Sequence, residues 1–137
     1  MIETSSKNNP LGEIKVSADV LEVIIGIATF EVDGVYGMRK NLSSDIRSMF
    51  GRSDFSKGVA LSVNEWGTAA DVYCYFKYGV NVPKVAREIQ INVKDQVYHM
   101  TDVEIDEVNV HIVGIIPEQV ATIDVLKASD LDLGENN

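Results

Sequence analysis

Tyr78–Ile116 reads YGVNVPKVAREIQINVKDQVYHMTDVEIDEVNVHIVGII, and its reading decides the fold. Pro83 lacks an N–H and has a fixed φ, so it suits the first turn of a helix. Val82 before it is pushed toward extended backbone. The apolar residues Val85, Ala86, Ile89, Val93, Val97 and Met100 follow at spacings of three and four, which puts them on one helical face. The pattern predicts a helix over Pro83–Met100, stopped at Thr101-Asp102. Strand alternation follows, but Val103 and Ile105 are odd positions whereas Val108, Val110 and Ile112 are even. One regular strand cannot bury both sets, so a bulge or break is expected near Asp106-Glu107.

The opposite face of that helix carries Lys84, Arg87, Ile91, Lys94 and Tyr98. One reading is a solvated face whose lysine and arginine stems cover two apolar side chains. The other is a contact surface with Ile91 and Tyr98 as anchors. Single exposed apolar residues are normal, which favours the first reading.

Outside this stretch, composition narrows the possibilities. The 137 residues suit one domain with a proper core. A net charge of −9 argues against a general nucleic-acid binder, which needs a positive footprint. The single cysteine, Cys74, excludes an intrachain disulfide and fits a reducing compartment. The N-terminus is polar, without the apolar core of a signal peptide. The run near Val23–Ala28 is far short of the ~20 residues of a membrane span. A soluble, cytoplasmic protein is expected, reaching a membrane only through a partner.

Three divisions are expected: a disordered terminus over 1–11, a domain over 12–117 and an acidic tail over 118–137. Glu13–Val16 alternates and reads as a short strand. Ser17 can cap a helix from about Ala18 to Glu31, whose apolar surface leaves a narrow polar strip of Asp19, Glu22, Gly26 and Thr29. Val35–Met38 is a short strand. Residues 39–58 are basic and serine-rich. Leu42, Ile46, Met49 and Phe50 suggest a short helix there between Ser43 and Gly51. Arg39, Lys40, Arg47 and Arg52 make this arm either a solvated excursion or a second contact surface. Val59, Leu61 and Val63 alternate, Gly67-Thr68 suggests a turn, and Ala70, Val72, Cys74 and Phe76 alternate on the return strand of a hairpin. Its far face would display Trp66, Tyr73 and Tyr75 near Asn109 and His111, a pattern some single-strand binders use for base stacking.

Chemistry is hard to find. Cys74 sits on the apolar side of its strand, as a small buried hydrophobe does. His99, Asp102, Glu104 and Asp106 have the donors of a metal site but not its tight spacing. No serine elbow or triad motif is present. Neither a catalytic residue nor a cofactor or metal is assigned.

Three stretches carry a family resemblance: GEIKVSADVLEVIIGIATFEVDGVYGM, KGVALSV, and VYCYFKYGVNVPKVAREIQINVKDQVYHMTDVEIDEVNVHIVGI. Together they span about Gly12 to Ile116, and the YGVN-P-VA and EVNVHIVG elements are the most specific. The chain resembles the alkaline shock protein family of Gram-positive envelope-stress proteins. The resemblance implies a small cytosolic α/β domain without known enzyme activity. It also implies links to envelope stress and alkaline tolerance, self-assembly in some members, and a membrane-anchored partner. The VYC strand and the MT..EI.EVNVHIVG end resemble a branch linked to control of fatty-acid synthesis at acetyl-CoA carboxylase.

The expected fold is α+β: a two-layer sandwich of a mixed, mostly antiparallel sheet, two main helices on one face and a short extra helix. The expected function is a non-enzymatic envelope-stress or homeostasis role through protein contacts, self-association among them. The alternatives are a modulator that binds an acetyl-CoA carboxylase subunit, and a single-strand RNA-binding module.

Overall fold

The computed structural model describes residues 10–39 and 53–117. In chain order these form α1 (Ala18–Phe30), β1 (Val35–Met38), α2 (Ser53–Ser56), β2 (Val59–Asn64), β3 (Gly67–Lys77), α3 (Val82–Thr101) and β4 (Glu107–Ile116). The fold is α+β, in two layers.

β3 is the axis of the sheet. It pairs antiparallel with β1 and β2 and parallel with β4. β4 occupies one edge of β3 from Ala69 to Lys77, so β1 and β2 share the other edge, end to end. They meet at Tyr73, whose carbonyl accepts from Arg39 N–H at 2.9 Å and whose N–H donates to Gly58 O at 2.7 Å. The parallel β3–β4 pair needs a crossover, and α3 supplies it.

Alternation on β3 decides where the core lies. Ala70, Val72, Cys74 and Phe76 are fully buried beneath the helices. Against them pack Leu21, Ile25 and Ala28 of α1 and Val85, Ile89, Val93 and Val97 of α3. The α3 row matches the helical spacing in the sequence, except that Met100 passes the edge of the core and is 61% exposed. Asn81 caps α3, accepting from Lys84 N–H at 3.0 Å, and Pro83 sits in the first turn. Ser17 caps α1 through Val20 N–H.

The break before β4 is present and longer than expected. Asp102–Asp106 is not strand, yet Val103 and Ile105 are buried. Asp102 ends α3 in left-handed backbone at φ 63°. Asp106 then ties the segment to the start of β3: its N–H donates to Thr68 O at 2.9 Å, and its carboxylate accepts from Thr68 N–H at 2.8 Å. This pairing satisfies the N–H groups of Asp106 and Thr68 where the chain changes parity.

Four expectations are corrected. Glu13–Val16 forms no strand. The hairpin turn is Glu65-Trp66, with Gly67 and Thr68 already in β3; Asn64 Oδ1 accepts from Trp66 N–H at 2.8 Å. Val103–Ile105 is buried coil rather than strand. Gly26 and Thr29, assigned to a polar strip on α1, are buried. Thr29 satisfies its hydroxyl on Ile25 O at 2.8 Å, and Gly26 is where Phe55 of α2 packs. A Cβ at residue 26 would collide with the Phe55 backbone carbonyl, so glycine is what admits α2. The helix expected between Ser43 and Gly51, and nearly all of the segments 1–11 and 118–137, lie outside the described residues.

Candidate protein-contact surface

At about 100° per residue, the buried row of α3 fixes what faces outward. Lys84, Arg87, Ile91, Lys94 and Tyr98 are all exposed or partly exposed, with Ile91 at 56% and Tyr98 at 52%. The structure therefore brings the five together as one ridge. The side chains beside the ridge set its orientation. On one flank Asn92 donates to Ala28 O of α1 at 2.7 Å. On the other, Gln90 donates to Val108 O and Lys94 Nζ to Asp106 O, both at 3.0 Å.

Lys94 thus has a structural task that spacing alone did not reveal. It and Gln90 hold the entry of β4 against α3.

Shallow grooves border the ridge. One of about 450 Å³ runs between α1 and α3, lined by Glu31, Val32, Asp33, Glu88, Ile91 and Asn92. Another of about 360 Å³ is lined by Lys94, Asp95, Tyr98, Glu104, Ile105 and Asp106. Carboxylates therefore flank both Ile91 and Tyr98. On the ridge, positive charge not engaged with β4 is concentrated at the N-terminal half, on Lys84 and Arg87.

The second group of contact candidates is divided. Arg39 lies across the sheet from α3, with its guanidinium 4.1 Å from the centroid of the Tyr73 ring. Lys40, Arg47 and Arg52 lie outside the described residues.

On that open face the aromatics are engaged with their neighbours. His111 stacks on Tyr73 at 4.4 Å and 10°, and its Nε2 lies 2.9 Å from Asp71 Oδ1. Register accounts for this, since Tyr73 faces His111 and Asp71 faces Asn109 across β3 and β4. Tyr75 lies against Gly114, and Trp66 is on the hairpin turn, 80% exposed. Tyr73 is occupied by a cation and an imidazole, so the face is a set of cross-strand pairs and not a row of open stacking platforms.

Among the described residues no group of His, Cys, Asp and Glu is placed to hold a metal ion. Asp106 turns instead to Thr68. Cys74 is buried, and burial pushes its thiol up to about 11, away from nucleophile chemistry. No helix of the described residues is long and apolar enough to cross a membrane.

Comparison with known proteins gives one matching family and several relatives. The family model of the alkaline shock proteins, described by a cell envelope-related function, matches residues 6–117. The chain is 39% identical to the uncharacterized protein YqhY of Bacillus subtilis over 84% of the chain and 85% of that protein. It is 42% identical to the uncharacterized protein Spy1535 of Streptococcus pyogenes over 89% and 93% of the two. A stress response regulator gls24 homolog of Streptococcus pyogenes is 29% identical over 76% of the chain and 59% of that longer protein. No solved structure matches.

Proposed function

Since the chain belongs to the alkaline shock protein family, of cell envelope-related function, we propose that it is a non-enzymatic envelope-stress and homeostasis protein acting through protein–protein contacts. Self-association is one such contact, and a membrane-anchored partner would bring it to the envelope. The observation that carries this reading is the outward face of α3. Two large apolar side chains, Ile91 and Tyr98, stand more than half exposed beside Lys84 and Arg87 on a helix whose inner face is well buried. Aromatic and arginine side chains are the residue types that dominate protein interfaces. The naming of a relative as a stress response regulator points the same way.

The test is affinity capture from cells under alkaline stress, with wild-type chain and with Arg87→Glu plus Tyr98→Ala. Loss of at least one native partner is expected. Retention of every partner would remove α3 from the contact surface.

A second reading is a modulator of acetyl-CoA carboxylase. The resemblance of the VYC strand, Val72–Cys74, and of the MT..EI.EVNVHIVG end, Met100–Gly114, to a branch linked to that enzyme supports it. Purified protein then forms a complex with a carboxylase subunit and changes its activity; absence of both outcomes would exclude it. A single-strand RNA-binding module is the weaker third reading: Trp66 is 80% exposed, but Arg39 and His111 pack against the Tyr73 ring.

A further inference from the structure

The outward side of α1 is as unusual as that of α3, and its chemistry is the opposite. Val20, Val23, Ile27 and Phe30 recur at spacings of three and four on the side away from the buried row of Leu21, Ile25 and Ala28. Val20 is 45% exposed and Ile27 38%; Phe30 is 47% exposed, with one side of its ring edge-on to Phe55 of α2 at 6.0 Å. The charges on this helix and its cap are Asp19, Glu22 and Glu31, with no lysine or arginine among them. An apolar ridge with acidic borders fits a helix that presents apolar anchors with basic borders. The N-terminal half of α3 offers Ile91 beside Lys84 and Arg87, two cations against its one carboxylate, Glu88.

We infer that a second copy of the chain lays the Arg87–Ile91 ridge of its α3 on the Ile27–Glu31 end of α1. The inference rests on the reading above, that the chain works through contacts including self-association, and it names the receiving surface. α1 and α3 lie side by side in one layer, so a two-fold axis running along the helices between them forms the contact twice, α1 on α3 and α3 on α1. An axis across the helices would set α1 on α1, acid against acid.

The level of each contact follows from how the two helices run. Asn92 meets Ala28 O, and Val85 lies against Gly34, so α3 begins beyond the C-terminal end of α1 and runs antiparallel to it. A two-fold axis along the helices keeps these levels. The partner's Ile91 then comes level with Ile27 and Phe30. The partner's Arg87 comes level with Glu31 and Asp33, where the groove between the helices is lined by Glu31, Asp33 and Glu88. Three carboxylates with no cation among the groove's lining residues are a fitting seat for a guanidinium. Farther along, the partner's Tyr98 comes level with Glu22. Burial, then the Asp19 carboxylate, raises the Glu22 carboxyl from its ordinary value, and a phenol O–H donor would offset that.

The test is a charge swap read by sedimentation equilibrium of the full chain, with far-UV circular dichroism as a folding check. Lys94 is left alone because it holds Asp106. Glu31→Lys places a cation at the C-terminal end of α1, where the helix dipole welcomes it, so folding is spared. Glu31→Lys and Arg87→Glu are each expected to weaken self-association by about tenfold or more, and the two changes in one chain to recover most of the loss. Ile27→Ser, which alters no charge, weakens association as well. Single reversals without effect, or a combined variant as weak as the singles, would overturn the α1–α3 pairing while leaving self-association in place. A wild-type chain that stays monomeric would also overturn it, and the capture experiment would then decide separately whether contacts with other proteins stand.

Discussion

At Asp102 the chain turns left-handed, at φ 63°, to end α3. A side chain in that region costs about 1 kcal/mol that glycine does not incur. Asp102→Gly should therefore raise stability by no more than about 0.5 kcal/mol in urea titration, after the entropy glycine adds to the unfolded chain. Gly26→Ala should do the reverse. Alanine's helix advantage is about 1 kcal/mol, but the new Cβ must displace the Phe55 backbone, which costs about 1–3 kcal/mol. A net loss of about 1–2 kcal/mol is expected in the same titration. Cys74 gives a pH signature. Its thiol is raised by burial from an ordinary 9.0 to about 11, so the folded state holds the proton more tightly than the unfolded one. That contribution is fully present below about pH 9 and is lost as pH rises through about 11; Cys74→Ala should flatten this part of the stability–pH curve. The buried row on β3 was legible from alternation alone. Gly26 was not, because a glycine on a polar strip and a glycine under a packed helix look alike in sequence. The Lys94 bond to Asp106 O was also hidden, since it depends on how the 102–106 segment folds back.

Caps and junctions fix the elements. Asn81 is the N-cap of α3, so Asn81→Ala should cost about 1 kcal/mol. Asp106 closes the break between α3 and β4 through Thr68 N–H, and Asp106→Ala should cost about 1 kcal/mol, because the bond is exposed and water can take the freed donor. Both losses are measurable by thermal or urea unfolding. The break itself could be read from the parity of Val103 and Ile105 against Val108 and Val110. Its length could not, because buried coil and strand bury the same apolar residues. Glu13–Val16 misled for a related reason: alternation over so short a run says nothing about whether an edge is available to pair with. The end-to-end arrangement of β1 and β2 along β3 was equally out of reach, since it depends on where long-range pairs form.

At the scale of the whole molecule, one sheet face is closed by α1 and α3, and the outer surface of those helices carries the two ridges proposed as contact surfaces. The open sheet face is occupied by its own cross-strand pairs, Tyr73 with His111 and His111 with Asp71. The helix layer is therefore where partners are expected. Family membership was visible in the YGVN-P-VA and EVNVHIVG elements, whereas the acid–base division between the two helix ridges needed the structure. The proposed service to the envelope through the α3 surface is tested by growth under alkaline stress of cells in which the chromosomal copy carries Arg87→Glu and Tyr98→Ala, compared with a deletion and with wild type. The variant, folded and present at normal abundance, is expected to lose tolerance as the deletion does. Wild-type tolerance in a strain whose deletion is sensitive would contradict it.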